Sequence, residues 1–282
     1  MNMNYVELEQ ISKESEVKLY QAIQKMTLED LGILLLDPLE HYPSLKASLP
    51  SMPADEIQVA WTGNSGKALM KQSIAFIRTV AEFYGQNIDS SLQSSKILDY
   101  GCGWGRLIRL LYKYSLPENI YGCDAWERSL NLCTDSHVRG NLKICDEIPK
   151  RVPYDGVKFD FIYAFSVFTH LSERTSLAVT SALRDVISAQ GLLAVTTRPI
   201  EYWDAHDQKQ NLVDIEKMKN EHRLGGFAFT PHVRPPIDGE VTYGDTSISC
   251  DYISKHWNSW EVVGERSYSA DPFQRIVFLK PV

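Results

Sequence analysis

Apolar residues recur at helical spacing between residues 5 and 36, where Val17, Tyr20, Ile23 and then Leu28, Leu31, Leu34 and Leu35 share one face amid Glu and Lys. Helices are predicted there. Pro38, Pro43, Pro50 and Pro53 follow between residues 37 and 53, a density that breaks regular structure, so this stretch reads as a linker packed over something larger. A boundary falls near residue 55, which makes 1–60 an N-terminal helical cap and 61–282 the main domain. From Lys67 the apolar spacing is helical again (Leu69, Ile74, Ile77, Val80, Phe83) and stops at Gly85. After that the period shortens. Short apolar runs at Ile97–Tyr100, Asn119–Cys123, Leu142–Cys145, Phe159–Phe165 and Leu192–Thr197 alternate with helical patterns near Glu127–Cys133 and Ser172–Ala189. Strand and helix in alternation predict a mostly parallel sheet covered on both faces. Residues 199–247 carry no clear period, and about 50 aperiodic residues inside a compact domain suggest an inserted lid. A short helix near Tyr252–Trp257 precedes two apolar runs, WEVVGERSY and QRIVFLK. With no helix between them, they predict an antiparallel closing hairpin at one sheet edge.

Composition narrows the class without naming a function. The 282 residues are 44% hydrophobic and 23% charged, as in ordinary globular proteins. A formal charge of −7, with no Lys/Arg run, makes nucleic acid an improbable partner. Cys102, Cys123, Cys133, Cys145 and Cys250 are odd in number and lack C-x-x-C spacing, so they read as reduced core residues of a cytoplasmic protein. The N-terminus lacks a signal-peptide pattern and no apolar run nears the ~20 residues that span a bilayer, so secretion and membrane insertion are not expected.

The chemistry concentrates in Asp99-Tyr100-Gly101-Cys102-Gly103-Trp104-Gly105-Arg106, a glycine turn at the carboxyl end of the first strand, which is the ligand edge of an open α/β sheet. Glycines are needed where a ligand lies against bare backbone. The dinucleotide fingerprint places its third small residue at position 106, which is arginine here, so a nicotinamide cofactor is disfavoured. Asp99 would repel a pyrophosphate but suits a ligand carrying an ammonium group, such as an amino acid attached to adenosine.

An acid followed by G-x-G-x-G at the end of the first strand resembles the first motif of the class I S-adenosylmethionine-dependent methyltransferases, matched here by Asp99, Gly101, Gly103 and Gly105. The family's second element, an acid ending the second strand that holds the ribose hydroxyls, is matched by Asp124. The segment FDFIYAFSVFTHL resembles the family's fourth strand and the turn that follows. The resemblance implies a Rossmann-like α/β sheet of seven strands with an antiparallel closing hairpin, and S-adenosylmethionine as cofactor with S-adenosylhomocysteine as product. It also implies a cofactor site of Asp99, Gly101, Cys102, Gly103, Arg106, Asp124, Ala125, Trp126, Asp146, Phe165 and Ser166. Trp61 and Asn64, in Trp61-Thr62-Gly63-Asn64-Ser65-Gly66, resemble the segment that such enzymes fold over the cofactor. Trp104, Trp126 and Phe168 are candidates to face a sulfonium.

An acceptor hydroxyl needs its proton removed, and His170, just past the fourth strand, is the candidate base; a helix-capping role is the alternative. The aromatic and imidazole residues of 199–247, namely Tyr202, Trp203, His206, His222, His232, Arg234, Tyr243 and Asp245, suit an acceptor pocket. Asp204-Ala205-His206-Asp207 sets one imidazole between two acids, which on a loop reads as solvated charge, so no metal is expected. The Asn/Asp-Pro-Pro-aromatic run of methyltransferases acting on nucleic-acid or glutamine amino groups is absent after the fourth strand. A small-molecule acceptor is therefore expected: a sugar, a glycan end or a secondary metabolite. A non-catalytic binding module on the same fold is the alternative, and homo-oligomerisation is left open.

Overall fold

The computed structural model describes residues 4–210 and 213–282, with the backbone alone at 207–210. The chain divides into two compact units, residues 1–144 and 145–282.

The first unit opens with the helices the spacing predicts: α1 (Tyr5–Glu14), α2 (Glu16–Ile23) and α3 (Leu28–Leu36). Ser15 and Thr27 cap the second and third by accepting from the backbone N–H groups of Lys18 and Asp30. The proline-rich stretch is not wholly irregular. It holds a helix, α4 (Pro43–Ser48), with Pro43 in the first turn where its missing N–H costs nothing. No local side chain caps α4; Glu9 of α1 does so instead, its carboxylate accepting from the N–H of Ser44 (3.3 Å) and Leu45 (2.9 Å). That cap comes from 35 residues away, so local reading of the prolines missed the helix. Helices α5 (Asp55–Thr62) and α6 (Gly66–Asn87) follow, and α6 buries Leu69, Ile74, Phe76, Ile77, Val80 and Phe83 along one face. Then come strands β1 (Ile97–Tyr100) and β2 (Ile120–Asp124), with the short helix α7 (Ile108–Leu111) between them. Helix α8 (Glu127–Asp135) and strand β3 (Asn141–Ile144) complete the unit. The strands pair in parallel, Ile97 opposite Ile120 and Tyr121 opposite Asn141. All four residues of β1 are buried, as expected for a parallel strand covered on both faces.

The second unit carries β4 (Phe159–Ala164), α9 (Glu173–Val186), β5 (Ile187–Thr197), α10 (Tyr202–Gln210), α11 (Ile215–Gly225), β6 (Phe227–Pro231), β7 (Gly244–Ile248), α12 (Cys250–His256), β8 (Trp260–Ser267) and β9 (Arg275–Pro281). Within it the sheet runs β4-β5-β9-β8. β4 and β5 are parallel, whereas β9 is antiparallel to both β5 and β8. The closing hairpin is present as expected, and β9 rather than β8 joins the parallel strands. In the first unit the strands run β3-β2-β1.

The largest departure lies in residues 199–247. The described residues there form two helices and the two-stranded ribbon β6-β7, built on a small core of Trp203, Met218 and Ala228. The run Asp204-Ala205-His206 is helical, not a loop. Polar residues with tertiary partners mask the period: His222 and the indole N–H of Trp203 both bond the Ser247 hydroxyl, at 2.7 and 2.8 Å.

Candidate functional site

In the first unit, β1 runs into a turn whose three glycines all have left-handed backbone, with φ of +75° at Gly101, +53° at Gly103 and +73° at Gly105. The N–H groups of Gly101 and Cys102 donate to the Cys123 carbonyl on β2 (2.8 and 3.0 Å), which folds the turn over that strand. Gly105 is packed: a Cβ there would meet Val138 and the Cys133 sulfur at 3.1–3.2 Å. Gly103 is the opposite. Its absent Cβ would meet only the Trp61 ring, 3.8 Å away, so bare backbone faces open space. The expected motif helix is short, with Arg106 lying before α7 in the turn. One helical turn has little dipole to offer a phosphate, in keeping with a cofactor other than a dinucleotide.

Asp124 ends β2 beside this cradle. Its Oδ2 accepts from the Gly103 N–H (2.9 Å), and its Oδ1 accepts from the Trp126 N–H (2.8 Å) and the Ser129 hydroxyl (2.9 Å). A carboxylate offers about four acceptor positions, so three donors hold it rigidly and leave capacity at Oδ2 for a further hydroxyl. Burial pushes its carboxyl above the usual range despite those donors. Trp61 and Trp126 meet edge to face at 5.7 Å, and Trp126 is 37% exposed. Arg109 is a component that composition did not single out. Wholly buried on α7, it donates to the carbonyls of Trp104 (2.7 Å) and Ser51 (2.8 Å), tying the turn to the proline-rich segment.

Bare backbone, a rigid acceptor carboxylate and two indoles suit a ribose-bearing cofactor with a planar base. Asp99 is buried at the foot of the turn. Arg106 donates to the Gln72 side chain at 3.1 Å, and Ala125 is half-buried between Asp124 and Trp126. The Asn64 side chain is exposed. Trp104 is a poor sulfonium platform, since it is buried with the Arg109 guanidinium 4.9 Å from its ring.

The second unit gathers a separate cluster at the ends of β4 and β5. Asp245, on β7, is its hub. The Arg198 Nη1, one residue past β5, donates to Asp245 Oδ1 at 2.6 Å, while the Nε2 atoms of His206 and His232 meet Oδ2 at 2.9 and 3.0 Å. Burial opposes ionisation of this carboxyl, but Arg198 and the imidazole donors outweigh it and hold it below the usual carboxylate range. The strand is anchored to the turn after β4, where the N–H groups of Gly244 and Thr246 donate to the carbonyls of His170 (2.8 Å) and Thr169 (2.9 Å).

Both ring nitrogens of His170 are engaged. Nδ1 lies 2.7 Å from the Gly244 carbonyl, to which it must donate, so Nε2 is the acceptor facing Arg198 Nη2 at 3.3 Å. Burial and the Arg198 charge push His170 down to about 4, and the ring stacks on Tyr243 at 5.0 Å. This arrangement keeps His170 neutral but leaves it no bare nitrogen, which departs from the base expected there. Ser166 holds a left-handed backbone (φ +57°), and its N–H donates to the Thr196 hydroxyl at 2.7 Å; such strain at a non-glycine residue clusters at functional turns. Phe165 is half-buried against Tyr268, and Asp146 is exposed. Phe168 is fully buried against Trp257, so it is core.

Asp204 pairs with Lys219 and His206 with Asp245; the Asp207 side chain lies outside the described residues. Among the described residues no cluster of three or more His, Cys, Asp or Glu could hold a metal, and no helix is long and apolar enough to cross a membrane. Cys102, Cys123 and Cys133 are buried, Cys145 and Cys250 are partly exposed, and all five are free thiols.

Residues 97–191 match a family described as "Methyltransferase domain". Solved structures with a similar fold include the PH0226 protein from Pyrococcus horikoshii, with 13% identity over 74% of this chain and 90% of that one at a TM-score of 0.52. An S-adenosylmethionine-dependent methyltransferase from Methanosarcina mazei gives 13% identity over 71% and 97% at 0.52. The glycopeptide N-methyltransferase MtfA, complexed with sinefungin, gives 12% over 75% and 94% at 0.50.

Proposed function

We propose that this chain, whose residues 97–191 match a methyltransferase domain, is a class I S-adenosylmethionine-dependent methyltransferase that transfers the methyl group to a hydroxyl or amine of a small molecule by in-line displacement. The observation that carries the cofactor side is Asp124, held by three donors beside a glycine turn in which Gly103 faces only the Trp61 ring. Asp124 takes a ribose hydroxyl, Trp126 and Trp61 flank the base, and Gly101, Cys102 and Gly103 offer bare backbone. Asp99 attracts the ammonium of the methionine moiety and Arg106 its carboxylate. Phe165 and Ser166, in the turn after β4, and the exposed Asp146 are the residues of the second unit that the motif resemblance assigns to the cofactor.

When bound, S-adenosylmethionine supplies an electrophilic methyl group on a sulfonium. The protein's part is then to orient the acceptor, exclude water and receive a proton. The Asp245 cluster and the segment 199–247 serve the acceptor in this reading, with 1–60 as a cap on the domain 61–282. Their ring-rich, hydrogen-bonding character fits a sugar, a glycan end or a secondary metabolite better than a charged polymer, in line with the charge of −7. Residence in the cytoplasm is proposed on the free thiols.

Calorimetric titration with S-adenosylmethionine, S-adenosylhomocysteine and NADH, on wild type and Asp124→Ala, tests the cofactor assignment. Binding of the first two, weakened in the variant, is expected. Absence of binding to the wild type, or tighter binding of NADH, would refute it.

A further inference from the structure

We propose that Gln58 is a positioning residue for the cofactor: from inside the corner between α5 and α6 it holds the Trp61 indole over Gly103, and so fixes a wall against which the adenine rests. This rests on the cofactor reading above, deepens it, and stays within the first unit. Gln58 is 2% exposed, and its side-chain amide is engaged at both atoms. Nε2 donates to the Pro53 carbonyl at 2.7 Å, while Oε1 accepts from the Gly66 N–H at 3.2 Å. That N–H opens α6, whose flanking Ser65 makes no side-chain cap, so the helix takes its cap from a residue eight positions back. Packing does little for the corner. Gly63 and Gly66 turn it with φ of +76° and +53°, and among the described residues nothing beyond the local chain stands within 4 Å of where either Cβ would be. The Thr62 hydroxyl bonds only inside the turn, 2.8 Å from the Gln58 carbonyl and 2.9 Å from that of Asn64. The Gln58 side chain is therefore what ties α5 to the start of α6.

The tie continues beneath the glycine turn. Pro53 lies just past Ser51, whose carbonyl accepts from Arg109 Nη2 (2.8 Å) and whose N–H donates to the Ser136 carbonyl (3.0 Å), while Arg109 Nη1 donates to the Trp104 carbonyl (2.7 Å). The turn and α5 are thus fastened to one segment, 51–53, which sets the Trp61 ring 3.8 Å from where a Cβ on Gly103 would stand. Trp61 meets Trp126 edge to face, with centroids 5.7 Å and planes 77° apart. Two indoles at that angle make a corner rather than a slot: a planar base stacks on one ring and sets its edge against the other. The corner stands beside Asp124, whose Oδ1 accepts from the Trp126 N–H. Loss of the glutamine tie frees Trp61 and opens the corner while the three donors on Asp124 stay in place.

Circular dichroism of the ligand-free full chain comes first. Indoles in contact at this angle give an exciton couplet, isolated as the difference between wild type and Trp61→Phe. Gln58→Met and Gln58→Asn, the second polar but a methylene short, are expected to lose roughly half or more of that couplet with the helical signal retained. A glutamine with a merely structural role would lower the melting temperature and leave the couplet in place. Calorimetry with S-adenosylmethionine reads the consequence. Gln58→Met should weaken affinity roughly ten-fold, but by less than about two-fold in a chain already carrying Trp61→Ala, because a residue that acts through another adds nothing once that one is gone. An intact couplet in both variants, a Gln58→Met affinity within about two-fold of wild type, or losses that multiply in the double variant overturns the proposal. Failure of the wild type to bind S-adenosylmethionine would instead refute the cofactor reading, and the ligand-free couplet separates the two failures.

Discussion

Replacing Asp245 by asparagine keeps shape and removes charge, and the structure sets the size of the effect. The amide oxygen can still accept from Arg198 at the Oδ1 position, but the NH2 group then faces the Nε2–H groups of His206 and His232. His206 can escape only by moving its proton to Nδ1, which is buried and has no partner among the described residues. One buried unpaired polar group costs about 1–3 kcal/mol, and exchanging a charged for a neutral acceptor opposite Arg198 costs about 1 kcal/mol more. His232 is exposed enough for water to replace its lost contact. The sum is about 3 kcal/mol, or a fall in Tm of roughly 6–12 °C at about 2–4 °C per kcal/mol. Tryptophan fluorescence should report it, because Trp203 packs 5.7 Å from His206 in the same small core. The pH dependence adds a second criterion. A carboxyl whose folded pKa is depressed stabilises above its unfolded pKa and loses that contribution as pH falls through the folded value. The gap in Tm between wild type and Asp245→Asn should therefore be constant above about pH 4 and shrink only in stronger acid. A variant that melts within about 2 °C of wild type at neutral pH would refute the hub role assigned to Asp245.

Three further outcomes are expected. Gly103→Ala forces a φ of +53° on a residue with a Cβ, costing about 1–2 kcal/mol in the turn, so calorimetry should show S-adenosylmethionine affinity reduced roughly ten-fold or more; because Asp124 is raised by burial, wild-type affinity should also weaken in mild acid. His170, lowered from 6.5 to about 4, binds its proton more readily unfolded than folded, so stability is fully present above about pH 6.5 and falls by roughly 3 kcal/mol towards pH 4; denaturation of His170→Gln across that window should show a flatter profile than wild type. Arg109→Met removes a buried charge held down at about 10, but it strands the Trp104 carbonyl and releases Ser51; faster amide exchange in residues 101–106 is expected, and unchanged exchange there would count against the tether.

Local chemistry was sufficient wherever neighbours in sequence are neighbours in space. Apolar β1 followed by three closely spaced glycines can only be a strand entering a tight turn, because φ values near +50° to +75° exclude ordinary side chains. Asp124, at the end of the next strand, accepts from the N–H groups of residues 126 and 103, so the glycine turn and the carboxylate beside it were legible. Amphipathic spacing likewise marked α6 and α9, whose faces are set by residues one turn apart.

What the sequence alone could not reach is held by partners far along the chain. Helix α4 depends on Glu9, the glycine turn on Arg109 reaching Ser51, and the ribbon β6-β7 on backbone bonds to Thr169 and His170. Four imidazole or guanidinium groups spread from residue 170 to 232 meet on one carboxylate at 245. Sequence can show that histidines are present; which of them keeps a bare nitrogen is decided by the carbonyl, carboxylate or arginine that folding sets beside each ring, because a hydrogen bond acts over about 3 Å of space whatever the separation along the chain.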